Sequence, residues 1–266
     1  MADELSDKLT PLPENEYILT AARAWKRFYG KGPGIKQLAC CLAQMILEIG
    51  RKKDYATEEY TWGAYCHNYN MGNIKSRKGD GHDYQYYDCG EEVSLAEAYK
   101  LDRAKPHLVQ IKKIYKWANG SERASIWLSA PHPWCRFRAY STAEDGLVGY
   151  IRFLVMERSR YLTAWNEGVM KGDPVTFSME LGEAGYYTAD KDRYTKTVVK
   201  LFNEFQTKVK NVLSSPEGQA LYSDEDEGFW DAAMDFVAMS VWDHIRELSE
   251  DEARGAQTTN DVVDIS

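Results

Sequence analysis

Apolar positions recur at helical spacing along most of the chain. Over 16–28, Ile18, Ala21, Ala22 and Trp25 share one face, which predicts a first helix. The stretch Gly30-Lys31-Gly32-Pro33-Gly34 breaks it and lacks the Gly-Lys-Ser/Thr ending of a phosphate-binding loop. The next helix, 35–50, carries Ile35, Leu38, Ala39, Leu42, Ile46 and Ile49 on one stripe, and Gly50 is a natural stop. A further helix is expected after 137–141. Its cap is Ser141 or Thr142, Glu144 and Asp145 sit in its first turn, and it runs through Tyr150, Ile151, Phe153 and Leu154. More helices are predicted over 161–169, from Pro174 to about Leu181, and from about Asp190 to Leu213.

The pattern changes between these helices. From Arg51 to about Tyr99, Gly, Asn, Asp and Tyr are dense, and Tyr84-Gln85-Tyr86-Tyr87 favours a short strand. A loop-rich lobe with a small hairpin is expected there. Residues 94–129 look like an insertion, basic and helical in part through Lys112, Lys113 and Lys116. The whole is an α+β chain, mostly α, with one two-lobe domain over 15–213. Residues 1–14 and 249–266 are expected to lack order, and 214–228 form an acidic linker. Residues 229–248 form an amphipathic C-terminal helix, which either packs on its own domain or docks on a protein partner. No internal repeat is visible.

Composition narrows the function classes. The net charge is −8, from 33 basic and 41 acidic residues, which argues against a nucleic-acid partner. No apolar run reaches the roughly 20 residues a membrane span needs. The first dozen residues lack the basic start and apolar stretch of a secretory signal, so a wall-acting protein would need another export route. The five cysteines (Cys40, Cys41, Cys66, Cys89, Cys135) are odd in number and sparse, unlike a disulfide scaffold. Most are expected as buried thiols, with Cys66–Cys89 the one bridge considered. No metal or cofactor motif emerges: Cys66, His67, His82 and Cys89 match no standard zinc spacing, and His132 with Cys135 has no third member to form a nucleophilic site.

The candidate chemistry centres on carboxylates. Glu48 lies two residues before Gly50, where free helix carbonyls make the local potential negative and favour a protonated carboxyl. It also borders the apolar stripe beside Cys41 and Met45, and burial acts in the same direction. A raised pKa is what a general acid near neutrality needs. A second acidic pair, Glu91-Glu92, follows the Tyr-rich strand. Strand neighbours point to opposite faces, so only one is expected to face a cleft shared with Glu48. Between them, the loop from Asn68 to Asn73 combines Tyr69, Asn70 and Asn73 with Gly72. Amides and phenols of this kind suit sugar hydroxyl and acetamido groups. Tyr186 and Tyr187 offer another aromatic edge. Two carboxylates on different elements, with aromatic and amide groups between them, are the equipment of glycoside hydrolysis.

These residues resemble a family. Leu42-Ala43-Gln44-Met45-Ile46-Leu47-Glu48-Ile49-Gly50 is similar to the catalytic helix of the glucosaminidase family of peptidoglycan hydrolases, a branch of the lysozyme-like superfamily with flagellar and phage-borne members. The loop from Asn70 to Lys75, Cys89-Gly90-Glu91, Phe137-Arg138-Ala139-Tyr140-Ser141, and Ala184-Gly185-Tyr186-Tyr187-Thr188-Ala189-Asp190 followed by Tyr194 resemble its later motifs in order, over roughly residues 17–205. The family's Trp-Gly after the catalytic helix is replaced here by Arg51-Lys52, and the last 60 or so residues have no counterpart.

The resemblance implies a lysozyme-like fold and cleavage of a β-1,4 bond in peptidoglycan glycan strands, as an endo-β-N-acetylglucosaminidase. It implies Glu48 as general acid, Glu91 or Glu92 as second carboxylate, and Tyr186 as a substrate-positioning tyrosine. Tyr69, Asn70, Asn73 and Tyr187 are the expected sugar contacts. The alternatives are a muramidase or lytic transglycosylase of the same fold, and a non-catalytic wall-binding component of a phage virion or injection apparatus.

Overall fold

The computed structural model describes residues 2–117, 120–187 and 189–222. The expected helix at 229–248, the tail after it and the acidic run before it lie outside these residues. The architecture is α+β, mostly α. It opens with β1 (Leu12–Pro13), α1 (Glu14–Tyr29), α2 (Ile35–Ile49), β2 (Arg51–Lys53), β3 (Tyr60–Trp62) and β4 (Tyr84–Tyr86). Then come β5 (Cys89–Ser94), α3 (Leu95–Ala104), β6 (Val109–Lys116), β7 (Glu122–Leu128), β8 (Arg136–Arg138) and α4 (Ala143–Val155). The described residues close with α5 (Pro174–Glu183), α6 (Lys191–Leu213) and α7 (Pro216–Gln219). No described helix is long and apolar enough to cross a membrane.

Two hydrophobic cores organise these elements. The larger lies among α1, α2, α4, α5 and α6, with Trp25, Leu42, Ile49, Tyr150, Trp165, Phe177 and Phe205 fully enclosed. Helix α2 has the broadest apolar surface of the set, so it runs through the middle and packs against α6. Residues 164–169, predicted as ordinary helix, form a π-helical turn. It brings Gly168 so close to Phe177 of α5 that an added Cβ would lie 2.4 Å from that residue's Cα. Arg51 clamps the strand after α2 to α6 through a two-pronged ion pair with Glu204, at 2.5 and 2.8 Å.

The smaller core gathers Ala98, Val109, Ala124, Ile126, Leu128 and Cys135 between α3 and a three-stranded antiparallel sheet ordered β5-β7-β6. Residues 94–129 therefore hold more strand than helix. Among the described residues of this stretch only α3 is helical, started by the Ser94 side chain accepting from the Glu97 backbone N–H. This sheet carries both Glu91 and Glu92, opposite Ile126 and Ser125 of β7.

The expected disorder at the N-terminus is replaced by an extended segment. Glu4 bridges to Tyr84, Leu9 to His67, and Leu12–Pro13 to β3, while Thr10 is buried. The short strands β3 and β4 would otherwise leave backbone donors and acceptors unmatched at their edges, and residues 2–13 satisfy them. The first part of the expected linker is also structured. Residues 214–222 still pack on the domain: Ser215 caps α7 by accepting from the Gly218 N–H, and the Tyr222 hydroxyl donates to the Pro33 carbonyl at 2.6 Å.

Candidate active site

A cleft of about 770 Å³ separates the helical body from the β lobe. Glu48, Tyr161, Tyr186 and Tyr194 line it from the helical side; Lys75, Glu91, Glu92, Ser125 and Phe137 line it from the other. The volume falls within the range of ordinary ligand sites.

Glu48 sits in the last turn of α2, half-buried at the cleft floor. Its Oε1 accepts from the Tyr194 hydroxyl at 2.7 Å and from Nε2 of Gln44, one turn earlier on α2, at 3.2 Å. Gln44 is itself fully enclosed. Its Oε1 accepts from the Tyr150 hydroxyl at 2.5 Å, so its amide is oriented before it reaches Glu48. Burial pushes the Glu48 carboxyl above its ordinary range; the hydrogen bonds from Tyr194 and Gln44 pull part way back, and the charge of Glu91 adds to the rise. A carboxyl that keeps its proton above the ordinary carboxylate range can hand it to a leaving oxygen.

The acidic pair divides as strand alternation requires. Glu91 is half-buried and its charge reaches Glu48, while Glu92 is exposed at the outer edge of the cleft. Lys75 Nζ holds Glu91 Oε1 at 2.7 Å and rides over the Phe137 ring, 4.2 Å from its centroid. Phe137 stacks on Tyr87 and Tyr87 on His67, a column whose first two rings form part of this wall.

The loop between them differs from expectation. Asn70 is completely buried and clamps the backbone of Ile74, accepting from its N–H at 2.9 Å and donating to its carbonyl at 3.0 Å. Tyr69 packs against the helical core, outside the cleft lining. Both were expected to touch sugar; Asn70 is enclosed instead, and Tyr69 does not line the cleft. A loop with left-handed backbone at Asn68, Tyr69 and Asn73 needs internal hydrogen bonds to hold its shape, and its amides are spent there. Asn73 does line the cleft, but its Nδ2 donates to the Glu48 carbonyl at 2.9 Å and its Oδ1 accepts from Tyr87. It satisfies a free carbonyl at the end of α2 and so fixes the segment that carries Glu48.

Tyr186 and Tyr187 line the opposite wall. Tyr186 donates to the Gly72 carbonyl at 3.1 Å, tying the helical body to the loop. Tyr187 donates to the Ser178 carbonyl and stacks on Tyr194 with ring centroids 3.6 Å apart. The partners of Glu48, Gln44 and Tyr194, stood in the sequence as motif positions with no role assigned. Gln44 had a usable signal, lying four residues before Glu48 on the same helical face. Lys75, Arg77, Arg158 and Arg160 give the cleft a cationic side that no spacing pattern announced.

Replacing Tyr194 by Phe removes a donor to the Glu48 carboxylate. The Glu48 titration midpoint is expected to move further upward, readable as the side-chain carboxyl carbon shift in a 13C NMR titration. An unchanged midpoint would mean that this bond does not control the Glu48 proton. Compared with known proteins, the chain matches no family model, no curated protein and no solved structure.

Proposed function

We propose that the protein is a glycoside hydrolase that cuts a β-1,4 bond in the glycan strands of peptidoglycan, as an endo-β-N-acetylglucosaminidase with a lysozyme-like two-lobe domain. The observation that carries this reading is Glu48: a carboxyl at a cleft floor, raised in pKa by burial, oriented by Tyr194 and Gln44, and facing a second acidic group on the other lobe. The ordered sequence resemblance adds the substrate class. Glu48 protonates the leaving glycosidic oxygen, and Glu91 supplies negative charge to the oxocarbenium-like state or activates water. Asn73, Tyr186 and Tyr187 shape the wall beside the sugar. The site of action is the cell wall.

One observation favours a second reading. Lys75 engages Glu91 directly, which leaves Glu48 as the acid with no cation on its carboxylate among the described residues. A lytic transglycosylase works with one acid/base glutamate. The test is mass analysis of purified peptidoglycan digested by the wild type, Glu48→Gln and Glu91→Gln. Reducing N-acetylglucosamine ends that vanish in both variants support the two-carboxylate glucosaminidase. Anhydro-muramyl ends that survive Glu91→Gln support the transglycosylase. Binding to the wall without fragments, unchanged by Glu48→Gln, replaces both with a non-catalytic wall-binding role.

A further inference from the structure

The cleft holds a pair of thiols that the proposed chemistry does not use. Cys89 begins β5 and lines the cleft; Cys135 lies in the short turn before β8 and is fully buried. Their sulfurs are 3.8 Å apart, although 45 residues separate them along the chain. Lys75 Nζ stands 3.6 Å from Cys89 Sγ, and the same ammonium holds Glu91 and the Trp134 carbonyl. The remaining cysteines, Cys40, Cys41 and Cys66, are buried in the larger core.

We propose that Cys89 is an oxidation site opening on the cleft, and that Cys135 is its resolving thiol, so that a hydroperoxide converts the pair reversibly into a disulfide. Three features favour this division of labour. Cys89 is the only one of the five that is not fully buried, so an oxidant in the cleft can reach it. The hydrogen bond from the Cys135 thiol lowers the Cys89 pKa; burial opposes this, the Lys75 charge lowers it again, and the Glu91 charge offsets part of the net lowering. The same contact holds the Cys135 proton in place, and burial adds to that, so Cys135 stays a thiol until Cys89 has reacted. By contrast, burial pushes Cys66 up to about 12 and raises Cys40 and Cys41 as well.

The steps balance with one hydroperoxide. The Cys89 thiolate attacks the distal peroxide oxygen, the O–O bond breaks, and the departing oxyanion takes up a proton. Cys89 is then a sulfenic acid. Cys135 sulfur attacks that sulfur and forms the S–S bond. The hydroxide expelled takes the Cys135 proton and leaves as water. Two thiols have lost two electrons, and the peroxide has gained them. Closing from 3.8 Å to a bond of about 2.05 Å asks only for a small shift of two short elements. Afterwards Lys75 has lost the thiolate and keeps Glu91 and the Trp134 carbonyl. The redox state therefore bears on the acidic group that faces Glu48.

The experiment needs no assumption about catalysis. The full-length protein is treated with stoichiometric hydrogen peroxide, its remaining thiols are alkylated under denaturing conditions, and its peptides are mapped by mass. The expected result is a drop from five thiols to three, a single linked peptide pair joining Cys89 to Cys135, and full recovery with dithiothreitol. In Cys135→Ser, dimedone is expected to trap a sulfenic acid on Cys89. In Cys89→Ser, neither product forms. In the untreated protein, iodoacetamide is expected to label Cys89 at neutral pH at least tenfold faster than any other cysteine, and Lys75→Met is expected to slow that labelling. Five surviving thiols, a bridge elsewhere, or equal labelling of all cysteines would overturn the assignment. Because these readouts are chemical, they stand or fall separately from the glycosidase reading.

Discussion

Glu48→Gln is expected to lower peptidoglycan cleavage by about 10²–10⁴-fold, the usual worth of a positioned general acid, while leaving the fold intact or firmer. Glutamine keeps the volume and can still accept from Tyr194 and Gln44, so the side chain loses only its proton. The stability sign follows from linkage. Glu48 has a folded pKa above its unfolded value, so the folded state holds the proton longer than the unfolded state does. The stability this contributes is complete below the ordinary glutamate range, near about 4.3. It is lost as pH rises through the higher folded value. Above that value the wild type carries a destabilised carboxylate, and Glu48→Gln does not. Melting curves of the two proteins should converge in acid and separate toward neutrality, with the variant higher. Unaltered cleavage by the variant would remove Glu48 from the chemistry. A lower melting temperature at neutral pH would show that its ionised form is a structural partner instead.

That trade between stability and activity was partly visible in the sequence, because helix ends are written in local chemistry. Gly50 stops α2, Thr142 caps α4 and Asp190 caps α6, so the helix carrying Glu48 and the helix carrying Tyr194 were both legible. Their meeting was not. Tyr194 reaches Glu48 across 146 residues because α2 and α6 pack side by side, and no local pattern encodes that. The β lobe was harder still. In β6 the register shifts between Ile111 and Lys113, so the apolar residues fall at Ile111, Ile114 and Tyr115. A bulge turned a strand's alternation into helix-like spacing, and the lysines completed the disguise. β7 kept its alternation, with Ala124, Ile126 and Leu128 buried, but was absorbed into the same basic stretch. The Asn-rich loop failed for another reason. Asparagine suits both a sugar and a left-handed backbone turn, and composition cannot distinguish the two uses.

The rigidity of that loop yields the second large effect. Gly146 lies inside α4, where glycine costs about 1 kcal/mol relative to alanine. The reason it is there is the Tyr69 carbonyl: a Cβ on Gly146 would lie 1.9 Å from that oxygen. The loop cannot retreat easily, because the Tyr69 N–H donates to Thr10 Oγ1 at 2.8 Å and the Asn68 carbonyl accepts from the Tyr140 N–H at 2.9 Å. Gly146→Ala is therefore expected to cost about 3 kcal/mol despite its better helix propensity. For a domain of this size, that lowers the melting temperature by about 6–12 °C. Gly149→Ala, three residues on, meets the hydroxyl end of the Tyr140 ring, a side chain and not the backbone, and is expected to cost less. The damage from Gly146→Ala should also reach the cleft. The displaced loop carries Asn73, whose amide holds the carbonyl of Glu48. A Gly146→Ala protein that melts with the wild type would mean that the loop yields freely, and Asn73 could then no longer be regarded as a fixed support for the acid.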